Sequence, residues 1–134
     1  MATYNKFQAW AENMVEVANL GTDQFVIALT NTLPTAANSV LADITQISYT
    51  NLSSRNVTTT SSSQASGTYT LVLADLTLTA SGSVGPFRYV VLFDDTPTSP
   101  ADPLVGWWDY GSSITMASGE TFLIDFTGAA ITLS

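Results

Sequence analysis

Carboxylates are the only plentiful side chains in this chain that could do acid–base or metal chemistry. There are eleven Asp and Glu residues, but no His and no Cys. Without imidazole or thiol, the usual nucleophilic triads and zinc sites lack their parts. A Ser–Lys pair could use only Lys6, which falls on the first turn of an expected helix. The glycine runs "GSVG" and "YGSS" are not followed by Gly-Lys-Ser/Thr, so they are not phosphate loops. A glycosidase needs two carboxylates held apart across a cleft. Asp94, Asp95, Asp102, Asp109, Glu120 and Asp125 qualify by type, and no spacing singles out a pair.

The densest stretch is "FDDTPTSPADPLVGWWDYG", residues 93–111, with four acids and two of the three tryptophans. A calcium cage needs about six oxygen ligands. The segment "DDTPTSPAD" lacks both the alternating acids and the glycine of such a loop. Pro97, Pro100 and Pro103 make it a stiff connection instead. Asp94 and Asp95, at the end of a strand, read as turn formers that accept backbone bonds. Trp107 and Trp108 are adjacent, so they point to opposite faces of a strand. One buried and one outward-facing ring suits a sugar platform or an interface anchor. No catalytic, cofactor-binding or metal-ligating residue is therefore assigned, and the chain is read as non-enzymatic.

The elements that would position these residues are mostly strands. By spacing, residues 4–20 form an amphipathic helix, with Phe7, Trp10, Ala11, Met14, Val15 and Ala18 on one face and Gly21 ending it. It either covers one end of a sheet or docks a partner. "QFVIALTN" (24–31) reads as a strand. Residues 34–48 are ambiguous, with a helical turn around Val40–Asp43. "NVTTTSSSQ" reads as an exposed strand. "TYTLVLADLTLTAS" (68–81) alternates well, but its phase slips by one at Ala74–Asp75, which signals a bulge or a bend between sheets. "PFRYVVLFDD" (86–95) is nearly continuously apolar, as a strand covered on both faces should be. "LVGWWDYG", then strand–turn–strand over 114–128 about Ser118-Gly119, and "AAITLS" (129–134) complete the series. Arg88, a cation within the most apolar strand, calls for a carboxylate, Asp109 or Asp125, or for stacking on Phe87 or Tyr110.

Seven or eight short strands with frequent turns predict a mainly β, antiparallel sandwich or barrel of Greek-key type in one domain, residues 1–134. An up-and-down meander is the rival. The 35 Ser and Thr residues suit half-buried pleated surfaces. Net charge −8, with Lys6, Arg55 and Arg88 the only bases, argues against nucleic acid and anionic membranes. No apolar run is long enough to span a bilayer. The opening residues lack the pattern of a signal peptide.

The run "NLSSRNVTTTSS", continuing through "SGTYTLVLADLTLTASG" and "SVGPFRYVVLFDDTPTSPADPLVGWWDYGSSITMASGETFLIDF", resembles a family of small virion structural proteins of tailed bacteriophages and prophages. "MATYNKF" and "NLGTDQFVIALTNTLP" look like that family's opening, so the resemblance covers nearly the whole chain. It carries no catalytic motif. It implies a particle component assembled in the host bacterial cytoplasm, and a capsid decoration (cement) protein first of all. The partner would be the major capsid protein or another virion protein, with self-association, for instance as a trimer. A tail, head–tail joining or head-fibre subunit is the first alternative, and a receptor- or glycan-binding module the second. Candidate contact elements are the helix (Phe7, Trp10, Met14), the Ser/Thr-rich strand 57–66 with Thr59 and Thr60, and the loop 94–106 with Asp94 and Asp95, followed by Trp107 and Trp108.

Overall fold

The computed structural model describes residues 3–126 and 131–133. The ten strands are β1 (Thr3–Lys6), β2 (Phe25–Thr30), β3 (Asn56–Val57), β4 (Thr59–Ala65), β5 (Thr68–Leu73), β6 (Leu76–Thr79), β7 (Val84–Asp94), β8 (Leu104–Met116), β9 (Thr121–Ile124) and β10 (Ile131–Leu133), with one short helix, α1 (Trp10–Glu16). All the named pairings are antiparallel. One sheet has the order β1-β8-β7-β2-β3; a second has β10-β5-β4; β6 and β9 form a third. The fold is sandwich-like and no barrel closes.

The long β7–β8 hairpin is the spine. Along β7, Phe87, Val90 and Leu92 face the small sheets, meeting Leu71, Leu73, Leu78 and Ile124 in the main core. Tyr89, Val91 and Phe93 face the other way and form a second core with Phe7, Val26, Leu104 and Trp107. A covering segment of residues 31–47 closes that second core with Ile44, Leu41 and Ala36. Its 3-10 turn, Leu41–Asp43, is held by Asp43, whose carboxylate accepts the N–H groups of Ser39 and Val40. Those bonds favour the ionised carboxylate and lower its pKa. Backbone bonds from Leu104 N–H to the Ser39 carbonyl, and from Leu41 N–H to the Asp102 carbonyl, sew the cover to the hairpin. The nearly unbroken apolar run in β7 thus has its expected cause: both faces are covered.

The phase slip at Ala74–Asp75 is a change of sheet. β5 pairs with β4 and β10, whereas β6, two residues later, pairs with β9. The Asp75 carboxylate accepts the Phe126 N–H at 2.9 Å, which braces the corner.

Two expectations need correction. The helix spans Trp10–Glu16, not residues 4–20. Thr3–Lys6 instead add an edge strand to β8, with Tyr4 opposite Trp108 and Lys6 opposite Gly106. Tertiary pairing outweighs the local periodicity here, because β8 offers a free edge and Gly106 leaves room for the Tyr4 ring. Phe7 and Trp10, placed on one face by the helical pattern, end in different cores. Among the described residues the strands number ten rather than seven or eight: β1 falls where helix was expected, "NVTTTSSSQ" splits into β3 and β4, and 68–81 divides into β5 and β6, while the strands expected at 104–111 and from 114 run together as β8. Of the closing strand 129–134, residues 131–133 form β10, while 129, 130 and 134 lie outside the described residues.

Candidate functional site

The acid-rich segment between β7 and β8 folds back as a closed connection. Asp94 has no exposed surface. Its Oδ1 accepts the Thr96 N–H, as a turn-forming aspartate would. The Thr96 hydroxyl accepts the Gln24 N–H at 2.8 Å, and Asp95 N–H donates to the Gln24 carbonyl. The connection is thereby tied to the segment that links α1 to β2. Asp23 in that segment accepts the Asn19 N–H and brings its carboxyl against Asp94. Asp94 Oδ2 is buried and meets no hydrogen-bond donor. Burial first, and the Asp23 carboxyl second, push the Asp94 pKa up to about 8.

This is one of three such contacts. The Asp95 and Asp102 carboxyls also meet, and burial together with Asp95 raises the Asp102 pKa. On α1, Glu12 and Glu16 stand one turn apart in contact, and Glu12 raises the Glu16 pKa. Six of the eleven acids therefore sit in carboxyl–carboxyl pairs. Among the described residues no group of three or more His, Cys, Asp or Glu side chains is arranged to hold a metal ion. A pair that shares a proton is acid–base equipment in some enzymes. Asp94, however, lies where no substrate reaches it.

Arg88 follows the expected pattern in one respect and departs in another. Its Nε and Nη2 donate to both oxygens of Asp109, at 2.8 and 3.1 Å. The guanidinium holds the Asp109 carboxyl below the usual range, helped by the Gly111 N–H. The pair is about one-third exposed rather than buried. It sits where the register breaks: Tyr89 faces Asp109 but Phe87 faces Ile114, so residues 110–113 of β8 bulge out. Gly111, at φ +89°, makes the bulge feasible.

The structure divides the candidate contact residues. Phe7, Trp10, Asp94 and Trp107 are buried, so their side chains form the interior and not an open surface. Trp107 packs on Phe7 with ring centroids 4.7 Å apart. Met14, Thr59 and Trp108 are half-buried, and Trp108 leans on Tyr4 and Phe126. Thr60 and Asp95 are exposed. In "GWWDYG" the two rings lie on opposite faces of β8, Trp107 buried in the second core and Trp108 half-buried against the main one.

Two of the candidate contact elements, the helix with Met14 and the strand 57–66, meet at one surface. Met14, Val15, Ala18 and Leu20 line an open groove of about 610 Å³ whose opposite wall is Ser62 of β4 and Tyr69 of β5. Val15 is 70% exposed, the most exposed of the large apolar side chains among the described residues. The Ser62 and Tyr69 hydroxyls are bonded to each other at 2.7 Å. Along the chain the groove residues of this segment run from Met14 and Val15, which lie between Glu12 and Glu16, to Gly21. Beside it, β4 is a sheet edge among the described residues, seven residues long, without charge or proline. Edge strands usually carry such protection. The available signal was Val15 on the helical stripe, adjacent to two acids four residues apart. No known protein family matches the chain, and neither the curated proteins nor the solved structures contain a match to it.

Proposed function

We propose that the protein is a non-enzymatic structural component of a bacteriophage particle, and first of all a decoration protein that binds and stabilises the head shell. The resemblance of the sequence supplies the particle. The observation that carries a binding role is the edge of β4, open among the described residues, beside an apolar groove, on a body whose most perturbed acid, Asp94, is sealed inside. Such an edge can add a strand from a partner, with backbone hydrogen bonds giving affinity. Attachment at roughly 800 Å² per partner, repeated over many copies, would oppose internal pressure by bridging neighbouring shell subunits.

The test is sedimentation of the purified protein with heads that lack it. Saturable binding at many copies per shell, with heads surviving higher temperature, is the expected result. Saturation at a few copies would move the protein to a tail, head–tail joining or head-fibre position. Absence of binding to heads and tails alike would overturn the virion reading.

A further inference from the structure

The longest edge strand among the described residues is also a neutral one. β4 runs for seven residues, against four in β1, β6 and β9, three in β10 and two in β3. No charged residue occurs from Asn56 to Ala74, so the whole β4–β5 hairpin is neutral in a chain of net charge −8. Apart from the three-residue β10, the other edges lie close to charge. β1 contains Lys6, β3 follows Arg55, β6 follows Asp75, and β9 lies between Glu120 and Asp125. The hairpin also fixes which backbone groups of β4 are free. Its turn residues, Ser66 and Gly67, both have positive φ, 52° and 84°, as a two-residue type I′ turn requires. The flanking pair Ala65–Thr68 therefore exchanges backbone hydrogen bonds, and by alternation Ser63 and Ser61 also turn theirs toward β5. The N–H and C=O groups of Ser62 and Gln64 point away from it.

We infer that β4 pairs antiparallel with β4 of a second copy across a two-fold axis, joining the two three-stranded sheets into one. Charge selects this occupant. A cationic or anionic strand finds no opposite charge on this edge. Two copies of an acidic chain repel at long range, and here their strands meet without like charges. Matching Ser62 to Gln64 of the copy, and Gln64 to its Ser62, uses every outward group of the regular stretch Ser61–Ala65 and places the axis at Ser63. Ser62 also lines the apolar groove, so the two grooves, each with its exposed Val15, abut on one face of the joined sheet. The inference rests on the reading above for β4 as the binding edge and names the strand that fills it. The unit that attaches to a shell is then two-fold.

The experiment is sedimentation equilibrium of the full chain across concentration, at low and high salt. A monomer–dimer equilibrium is expected. Salt should tighten it, because screening weakens the repulsion between two copies of charge −8. Ser63→Lys, at an exposed position, sets two lysines opposite each other at the axis and should weaken the dimer about tenfold. Leu33→Lys, exposed on the covering segment, makes the same change in charge and should leave the dimer in place. Amide exchange at Ser62 and Gln64 should be slow in the dimer and fast on dilution. A monomer at every concentration, a trimer, a dimer indifferent to Ser63→Lys, or equal weakening by Leu33→Lys would overturn the inference. Attachment to heads of a protein found only as monomer would overturn it and keep the virion reading. A dimer that attaches to neither heads nor tails would sink the virion reading alone.

Discussion

Asp94 and Asp109 stand on the two strands of one hairpin, and their environments push them in opposite directions. Asp109 is partly exposed, gripped by Arg88 through two hydrogen bonds, and its pKa falls. Asp94 is fully buried, faced by Asp23, and its pKa rises to about 8. The same side chain is thus a charge at one place and a protonated acid, at neutral pH, at the other. What differs is neither the strand nor the backbone but the partner: a base one ladder position away, or an acid delivered by a segment 71 residues earlier in the chain. A structure with few bases cannot neutralise its acids by pairing, so it uses protons for the most buried of them.

The comparison can be broken most severely by removing its scaffold. Leu92 lies between the two sites on β7 and is almost completely buried. Leu92→Ala should cost about 2–5 kcal/mol in urea unfolding, through lost transfer energy and the cavity left behind. A smaller mutation cost there would mean that the hairpin is not the spine of the core.

Comparable in size over the whole window is the pH dependence. The folded state holds a proton on Asp94 well above the ordinary carboxylate value of 3.8, whereas the unfolded chain releases it. The stability this group contributes is therefore complete below about pH 4 and is lost as pH rises toward 8. The slope should approach a loss of about 1.4 kcal/mol per pH unit within that window. Urea midpoints from pH 4 to 8 would measure it, and a flat profile would contradict the Asp23–Asp94 contact.

Asp94→Asn sharpens the same point. The amide keeps the shape, needs no proton, and can donate to an ionised Asp23. The variant should be more stable than the parent at pH 8 and should lose most of the slope. The smallest effect is expected at Asp109. Asp109→Asn should destabilise only slightly at pH 7, because the pair is partly exposed. Its sign with pH is opposite to that of Asp94: a lowered pKa contributes stability above the ordinary carboxylate range that disappears as pH falls through the folded value. Improved stability at pH 7 in this variant would show that Arg88 finds a better partner elsewhere.

The two aspartates also mark how far the sequence could be read. Arg88 and Asp109 were legible because neighbouring strands in sequence pair in space, so a cation on one and an acid on the next fall opposite. Asp94 was read as a turn former that accepts backbone bonds, and it accepts the Thr96 N–H, a local contact. Asp23 was invisible as its neighbour, since nothing local encodes a meeting between the α1–β2 link and the end of β7. The same division holds for the fold. The sheet change after Leu73 and the double coverage of β7 are written in side-chain alternation. The helix was overextended because Tyr4–Lys6 carry no signal of the β8 edge that captures them. The groove was legible only in part: the helix with Met14 and the strand 57–66 were both read as contact elements, but nothing local shows that they face each other or that Tyr69 joins them.

Double coverage has a consequence for how the chain finds its alignment. In a strand with one wet face, a one-residue slip drives apolar groups into water, so polarity alone enforces register. β7 has no wet face over most of its length, and such a slip would only exchange one apolar surface for another. Alignment there must be encoded by shape. Gly106 admits the Tyr4 ring where any Cβ would collide, and a Cβ on Gly85, at φ +117°, would fall 2.6 Å from the Ile114 carbonyl. The hydrogen atom of Gly85 pins the hairpin, and that of Gly106 pins the edge strand β1 against it.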